Sequence, residues 1–391
     1  MELQSRTRAL ACTLVLVACH SQPGNVSACD PPASLKGPLI SGTWHATEQI
    51  DPAGGGYGSA QYSPEGDLFV FYSVLPRPDH LKLRIRRHGD TTWTPETEVS
   101  PNGRTANAFF APSGAIHVGI ENSGTAMIYS STDHAQTWNW EVSFSAMDAG
   151  AEPVYDQAFV TMDGTNLNLF YGYNSFNSVV GNSSVRVYKA VQSGGKWPRD
   201  PVSMFPAVPA PSGVQGAYQD DGTILVLAGT ADQSTDHGAT FTQIAGGPAG
   251  IAGASRNPTT GKVFMADLFK DGTRINHAAL WRTGDLGASL TKLTTVGPGG
   301  DLYRAKIAAT QNLVVAVVTL DGGSGEGVIY GTTSIDEGCT WTPLSQIVDA
   351  SSSGNTLNAV SLAASSDGVV SLVYSVEKGG AHDGVFLSEF H

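Results

Sequence analysis

The sequence predicts an all-β protein folded as a seven-bladed β-propeller, and three observations carry this prediction. A short motif, S-x-D-x-G-x-T-[W/F], recurs along the 391-residue chain. A strand-like segment that starts at a glycine or asparagine turn precedes each copy of the motif. The composition, with 46 glycines, 15% charged residues and no helical periodicity, is typical of a chain made of strands and tight turns.

Two copies of the motif are complete and a third is nearly so. The complete copies are residues 234–241 (STDHGATF) and 334–341 (SIDEGCTW), and residues 131–138 (STDHAQTW) carry alanine in place of glycine. Three weaker copies keep the spacing and end, in chain order, at Trp93, Trp197 and Leu290. The steps between successive anchors are 44 to 59 residues. This period is typical of a propeller with one four-stranded blade per repeat.

Seven upstream strands predict seven blades. Six of them precede the six motif copies, and a seventh covers residues 368–374 and is followed by a last strand at 384–390. The seventh repeat therefore lacks its outer strand, and residues 42–48 (GTWHATE) have the pattern of the missing piece. Pairing of the two ends would close the ring and remove the exposed sheet edges. A six-bladed ring is the alternative, and residues 41–391 are expected to form one domain.

The first 40 residues are expected to lie outside the propeller. Residues 1–18 have the features of a bacterial lipoprotein signal peptide: basic residues precede a short apolar stretch, which ends in the string LVAC at 16–19. Such signals are cleaved before the cysteine and a lipid is attached to its sulfur, so Cys19 is the expected lipidation site. An ordinary secretory signal is the alternative. Residues 19–40, rich in proline, serine and glycine, are interpreted as a flexible tether.

These terminal features predict the location and restrict the partners. We expect an exported protein, either in the bacterial cell envelope or outside the cell. A lipid-anchored form is expected in the outer membrane, because His20 is not an aspartate. Contact with the membrane is then through the lipid alone. The net charge of −13 and the lack of a lysine- or arginine-rich run argue against nucleic acid as a partner.

The remaining cysteines, Cys29 and Cys339, could pair outside the cytosol, and the sequence leaves this open. Neither of them has neighbours at metal-ligand spacing, so no metal site is predicted. No cofactor is expected either, and the protein is expected to be a monomer.

The repeated motif resembles the Asp box of the sialidase superfamily, and the resemblance covers nearly the whole chain after the tether. It implies a propeller in which the boxes are structural turns on the face opposite the ligand site. An aspartate side chain can satisfy backbone N–H groups in such a turn, and the glycine permits a positive φ. The aspartates expected in this structural role are Asp133, Asp236, Asp285 and Asp336.

Propeller geometry restricts where a ligand can bind. The crossings between blades and the loops from second to third strands share one face, here called the crossing face. The boxes lie on the opposite face, here called the box face. The resemblance implies a ligand site on the crossing face near the axis, where the innermost strands begin. Arg256 ends an inner strand and is excluded on this ground.

The sialidase resemblance also implies a set of functional side chains. Sialidases hold a carboxylate with three arginines and use a tyrosine nucleophile, a glutamate partner and an aspartic acid/base. The catalytic candidates on the crossing face of this chain are Tyr303, Glu152 and Asp79. The substrate-binding candidates are Arg304, Arg104, Arg77, Tyr155 and Asp156. The F-R-I-P motif of sialidases is missing, and the corresponding residues 58–62 read GSAQY.

The sequence predicts a glycan as the partner and leaves three modes of action open. Hydrolysis of a glycosidic bond is one of them. A polysaccharide lyase is another, in which His80 or His382 and a tyrosine would move protons while an arginine neutralises a substrate carboxylate. A non-catalytic propeller that binds a glycan or a protein is the third. For sugar binding, Trp140, Tyr173 and Phe176 are the candidate stacking residues.

Overall fold

The computed structural model describes residues 42–391 except positions 53, 75–79, 123–124, 146–157, 165, 178–181, 205–213, 221, 271–275, 285, 287–288, 298–300, 322–325, 352–354 and 379–380. In these described residues, 28 strands form seven four-stranded antiparallel sheets. The seven sheets are the seven predicted blades, so the prediction is confirmed and the six-bladed alternative is wrong. No helix in the described part is long and apolar enough to cross a membrane.

The strands of each blade follow one another in the chain from the innermost to the outermost. Blade one contains β2 (Gly54–Tyr62), β3 (Leu68–Val74), β4 (His80–Arg86) and β5 (Thr97–Ser100). Blade two contains β6 (Thr105–Phe110), β7 (Ile116–Asn122), β8 (Thr125–Ser131) and β9 (Asn139–Ser145). Blade three contains β10 (Ala158–Asp163), β11 (Asn166–Asn177), β12 (Asn182–Val191) and β13 (Val202–Ser203). Blade four contains β14 (Gly216–Asp220), β15 (Thr223–Ala228), β16 (Thr230–Ser234) and β17 (Thr242–Gln243).

The last three blades keep the same order until the end of the chain. Blade five contains β18 (Ile251–Arg256), β19 (Val263–Lys270), β20 (Asn276–Thr283) and β21 (Leu290–Val296). Blade six contains β22 (Leu302–Ala309), β23 (Val314–Asp321), β24 (Glu326–Ser334) and β25 (Ser345–Asp349). Blade seven contains β26 (Asn355–Ala364), β27 (Val370–Lys378) and β28 (Ala381–Phe390), and the N-terminal β1 (Glu48–Asp51) completes it from outside.

The two ends of the chain close the ring, as predicted. β1 pairs antiparallel with β28, with Glu48 opposite Leu387. The regular strand lies further along the chain than the predicted 42–48, because the earlier residues pair only at an isolated bridge between Trp44 and Phe390. The Trp44 ring meets the Phe390 ring edge to face at 5.4 Å. Both aromatics belong to the apolar cluster between blades six and seven.

The hydrophobic core is divided among the blade interfaces. Seven clusters of buried side chains lie between successive blades, one at each interface. In the cluster between blades one and two, for example, Phe71 and Leu83 pack with Val118 and Ile120. Both faces of most blades are therefore covered by a neighbour, which explains why the middle strands read as continuous apolar runs.

The three best motif copies form the same turn. Asp236 Oδ1 accepts hydrogen bonds from the Thr240 amide at 2.9 Å and the Ser234 hydroxyl at 2.7 Å, and the Thr240 hydroxyl donates to Oδ2. Asp133 and Asp336 make the equivalent bonds to Thr137 and Thr340. Donation from the Thr240 hydroxyl and amide holds the pKa of Asp236 below its usual range.

Each turn contains two successive residues in the left-handed region. The first has φ of 58° at His134, 59° at His237 and 56° at Glu337. The second has φ of 67° at Ala135, whereas the other two copies have glycine there. Because two consecutive residues are left-handed, the carbonyl of the first points away from its own turn. A side chain of the preceding blade can therefore donate a hydrogen bond to it.

A side chain from one blade bonds this carbonyl in the next blade at three interfaces. Lys189 Nζ donates to the His237 carbonyl at 3.1 Å, and Gln233 Nε2 donates to the Leu286 carbonyl at 3.1 Å. Arg282 Nη1 donates to the Glu337 carbonyl at 2.8 Å. Each donor is the residue immediately before the motif copy of its own blade. The box turns thus join blade three to four, four to five and five to six.

Candidate functional site

A cavity of about 470 Å³ lies on the propeller axis and is bounded by the innermost strands of all seven blades. Its described lining alternates small apolar residues with polar ones. The polar side chains in its middle are Ser59, Gln61, Asn107, Gln215, Lys306 and Ser361. The volume falls in the range of small-ligand sites, so this cavity is the candidate functional site.

The polar side chains of the cavity connect neighbouring inner strands. Ser59 Oγ donates to the Ala106 carbonyl at 2.7 Å, and Gln61 Oε1 accepts from the Ala108 amide at 2.7 Å. Both bonds run from blade one to blade two. The amide of Asn107 continues the series, since its Nδ2 donates to the Ala158 carbonyl of blade three at 3.3 Å. These bonds satisfy strand edges that would otherwise face the cavity unpaired.

Lys306 reaches across two blades on the other side of the axis. Its Nζ donates to the Ala252 carbonyl at 2.7 Å and to Gln215 Oε1 at 3.4 Å. Gly253 gives its stem room, because a Cβ there would lie 3.1 Å from both Cα and Cδ of Lys306. The ammonium is therefore held in place by blades four and five.

Bulges interrupt the inner strands of four contiguous blades near the crossing face. The register against the second strand shifts between Ile251 and Gly253 in blade five, and between Leu302 and Arg304 in blade six. Similar shifts occur between residues 357 and 359 in blade seven and between 54 and 58 in blade one. The described pairs of blades two, three and four show no such shift. Bulges of this kind re-aim side chains and are common beside active sites.

Tyr303 is the extra residue of the blade-six bulge. Its side chain is 58% exposed, which makes it one of the few large apolar residues exposed in the described part. The guanidinium carbon of Arg304 lies 5.5 Å from the centre of its ring. Tyr303 thus presents an exposed ring near the crossing-face end of β22, and it is not among the described residues that line the axial cavity.

The other predicted site residues divide into those that the structure describes and those that it does not. Arg104 is only 6% exposed, precedes β6 and is not among the residues that line the axial cavity. Glu152, Asp79, Arg77, Tyr155 and Asp156 lie outside the described residues, as do Cys19, Cys29 and Asp285. The pairing of Tyr303 with Glu152, and of Cys29 with Cys339, therefore stays a prediction.

The alternative candidates are placed less centrally. His80 starts β4 and its Nδ1 lies 3.1 Å from Glu98 Oε2 on the outer strand of blade one. Trp140 is 60% exposed on the outer strand of blade two. The side chains of His382, Tyr173 and Phe176 lie outside those described.

Arg256, excluded on sequence grounds, lies at the box-face end of the cavity. Its guanidinium forms an ion pair with Asp220 and donates to the Gln219 and Gly261 carbonyls. Two tyrosines also line this end, and burial raises the pKa of both Tyr62 and Tyr218 above the usual value. Both phenols therefore stay protonated at neutral pH, and the Tyr62 phenol donates to Glu389 Oε1.

The residues that the sequence interpretation missed are Gln61, Gln215 and Lys306. Gln61 lies near the end of β2, Gln215 just before β14 and Lys306 in the middle of β22, and polar residues alternate with alanine in residues 59–61 (SAQ) and 304–306 (RAK). An alternation of polar and very small residues in the first strand of a blade was the available signal. No group of metal-ligating side chains occurs among the residues that the structure describes.

Comparison with known proteins shows the fold. No protein-family model matches the sequence, and no curated protein matches it. A protein of unknown function from Dyadobacter fermentans has a similar structure, with a TM-score of 0.53 and 12% identity over 88% of this chain and 99% of that chain. An α-L-arabinanase of Penicillium chrysogenum gives 0.49 and 12% over 89% and 98%, and the Hadza microbial sialidase Hz136 gives 0.47 and 12% over 85% and 64%. At this identity, the likeness to the Dyadobacter protein extends to the fold alone.

Proposed function

We propose that this propeller recognises carbohydrate on the crossing face, at the mouth of the axial cavity. The observation that carries the proposal is the set of four contiguous bulges around this mouth, from blade five through seven to blade one. Among the described inner strands, only those of these four blades shift register against the second strand, and each shift lies near the start of the inner strand. One of them presents Tyr303, with its exposed ring, above a cavity lined by hydrogen-bonding side chains.

The chemistry of this arrangement suits a sugar. A sugar ring offers an apolar face to an aromatic side chain and hydroxyl groups, each both donor and acceptor, to amides. Tyr303 supplies the aromatic face, and Gln61, Asn107 and Gln215 supply the amides. The resemblance of the box motif to that of sialidases supports the same class of ligand.

A reaction at this site is part of the proposal. Tyr303 would act as the nucleophile or proton donor, with Glu152 as its partner and Asp79 as acid/base. Arg304, Arg104, Arg77, Tyr155 and Asp156 would contact the substrate. A lyase would use the tyrosine to move a proton from the carbon beside a carboxylate, and would release an unsaturated sugar.

The test is incubation of the full-length protein with neutral and acidic oligosaccharides, followed by binding measurements and mass spectrometry. Tyr303→Ala is expected to weaken binding about tenfold through loss of the aromatic face. Tyr303→Phe keeps the ring and is expected to keep binding while abolishing any turnover. Trp140→Ala, which removes an exposed aromatic on the outer strand of blade two, is the matched control and should change neither.

The outcomes separate the functional classes. Saturated products would identify a glycoside hydrolase, and unsaturated products a lyase. Bound but intact glycans would identify a sugar-binding propeller. If no oligosaccharide binds the wild type, or if Trp140→Ala has the same effect as Tyr303→Ala, the proposal is wrong. A protein partner then becomes the hypothesis to pursue.

We also propose that the protein is exported and lipid-anchored through Cys19 at the outer membrane. The support is the string LVAC after a short apolar stretch, with histidine at position 20. Metabolic labelling with a radioactive fatty acid tests this. Wild type should carry the label, Cys19→Ala should not, and labelled protein should sediment with outer membranes. Unlabelled wild-type protein in the medium would identify an ordinary secretory signal.

A further inference from the structure

Four carboxamide side chains line the axial cavity, and each uses one of its two ends to hold the propeller together. Gln61 Oε1 accepts from the Ala108 amide, and Gln219 Oε1 accepts from the Thr161 hydroxyl at 3.0 Å. Gln215 Oε1 accepts from Lys306. Asn107 uses its nitrogen end instead, since its Nδ2 donates to the Ala158 carbonyl.

The other end of each carboxamide has no partner among the described residues. This leaves three amide donors, on Gln61, Gln215 and Gln219, and one acceptor, Asn107 Oδ1. All four side chains are only partly buried, and none of these four atoms is among the fully buried unpartnered polar atoms of the described part. The unpaired ends are therefore accessible from the cavity that their side chains line.

The charged groups of the cavity are already engaged. Only Lys306 and Arg256 are charged among its described lining residues. Lys306 is held by the Ala252 carbonyl and Gln215, and Arg256 is paired with Asp220. Neither side chain therefore provides what usually binds a carboxylate, a guanidinium that can donate two parallel hydrogen bonds to it.

The one free acceptor, Asn107 Oδ1, is what discriminates a neutral ligand from an anionic one, because the three N–H donors suit either. A sugar hydroxyl can accept from a glutamine N–H and donate to Asn107 Oδ1, whereas a carboxylate can only accept. The chain as a whole carries a net charge of −13, which disfavours the approach of anions at long range.

We infer that the ligand of the axial cavity is a neutral sugar, whose hydroxyl groups are held by the free ends of Gln61, Asn107, Gln215 and Gln219. This inference rests on the proposed glycan function and narrows it. Tyr303 precedes Lys306 by three residues on β22, so its Cα lies up to roughly 10 Å further towards the crossing face. A sugar unit in the cavity and a second one stacked on Tyr303 would span that distance, which makes a short neutral oligosaccharide the fitting ligand.

The decisive test uses matched pairs of ligands. The full-length protein is titrated with neutral gluco-, galacto- and manno-oligosaccharides and with the same compounds oxidised at C6 to the uronates. We expect the neutral form to bind at least about tenfold more tightly than its uronate, the equivalent of one lost hydrogen bond. Equal or tighter binding of the uronate would overturn the inference and leave the proposed glycan function standing.

A second measurement places the ligand in the cavity. Gln61→Met keeps the size of the side chain and removes its amide, and is expected to weaken binding of the neutral form about tenfold. Gln346→Met is the matched control, since Gln346 is exposed on the outer strand β25 of blade six. Unchanged binding by Gln61→Met would overturn the assignment to the axial cavity.

Melting temperatures separate loss of the ligand contact from loss of the fold. Gln61 also accepts a hydrogen bond from the Ala108 amide, so Gln61→Met removes a contact between blades as well as a ligand contact. If its melting temperature falls strongly, the second variant, Gln219→Met, is measured in its place. The inference requires at least one of the two to stay folded and bind more weakly than Gln346→Met. Failure of every neutral and acidic glycan to bind the wild type would be a different result, because it would contradict the proposed function itself.

Discussion

Trp93 donates from its indole nitrogen to Glu48 Oε1 at 2.8 Å and so joins blade one to the N-terminal strand that completes blade seven. Arg86 strengthens the same junction, because its guanidinium pairs with Glu389 on β28 and lies 5.4 Å from the Trp93 ring centre. Trp93 is the anchor of one of the three weaker motif copies, so even a degenerate copy contributes a contact between blades. The closure of the ring is thus fastened by side chains as well as by strand pairing.

Trp93→Phe is expected to destabilise the protein by about 1 kcal/mol, because it removes one hydrogen bond to a partly exposed carboxylate and keeps most of the ring packing. Urea unfolding should show a lower midpoint with an unchanged slope. Trp140→Phe, at the exposed tryptophan of blade two, is the control and should leave the midpoint unchanged. Equal shifts for the two variants would contradict the role given to the Glu48 contact.

Gly238→Ala is expected to cost about 2–5 kcal/mol. The glycine has φ of 79°, which costs an alanine about 1–2 kcal/mol, and the new Cβ would collide with Lys189 Nζ, which adds about 1–3 kcal/mol. Adding Lys189→Ala removes the collision and should make the two changes strongly non-additive.

The alanine in the equivalent position of blade two serves as the comparison. Ala135 has φ of 67°, but its methyl group is buried in the cluster between blades one and two. Ala135→Gly should therefore change the free energy of unfolding by less than about 1 kcal/mol, because relief at the backbone offsets the lost burial. If Ala135→Gly lowers the free energy of unfolding as much as Gly238→Ala does, the left-handed backbone of the turn does not decide between alanine and glycine at these positions.

Glu141 should make stability depend on pH in the acidic range. Burial raises its pKa, but hydrogen bonds from His117, Ser130 and Trp197 outweigh burial and lower the pKa to about 2. A group whose folded pKa is depressed stabilises the fold above its unfolded pKa, about 4.3, and loses this effect as the pH falls through the folded value. The stability advantage of wild type over Glu141→Gln should therefore shrink between about pH 4.5 and 2. Glu65→Gln, in an exposed turn, should show no such trend.

Gly253→Ala is expected to weaken glycan binding more than it lowers the melting temperature. The added Cβ would lie 3.1 Å from Lys306 Cα and Cδ and from the Ala305 carbonyl, so the lysine must shift within the cavity. We expect about tenfold weaker binding and a fall of a few degrees in melting temperature. Gly297→Ala is the control, since among the described residues its Cβ would meet only Leu302, at 3.8 Å. A lower melting temperature with unchanged glycan affinity would show that the position of Lys306 does not affect ligand binding.

The architecture was predictable because it repeats. The motif period sets the number of blades, and the unmatched strands at residues 42–48 and 384–390 predict how the ring closes. The pairing of β1 with β28 confirms that closure. The position of the regular strand was off by a few residues, since nothing in the string GTWHATE marks the irregularity between Gln49 and Asp51.

The candidate site was much harder to predict because it does not repeat. Nothing in the string DLYR at residues 301–304 marks a bulge at Tyr303, which depends on how blade six meets its neighbours. Gln61 and Lys306 bond residues of other blades, and neither partner can be found from spacing alone. The lysine, glutamine and arginine that bond the box turns of the next blades are different residues in each blade, so they escape a search for a repeated letter.

The pairing of β1 with β28 also sets an order of events in folding. As the chain emerges from the ribosome, residues 44–51 appear more than 300 residues before their partners at 381–390. Blades one to six can form from neighbouring segments, whereas β1 has no partner until residues 381–390 have been made. Contacts of such large sequence separation form slowly and leave strand edges open to aggregation. Until those residues are available, β1 therefore remains an unpaired strand edge.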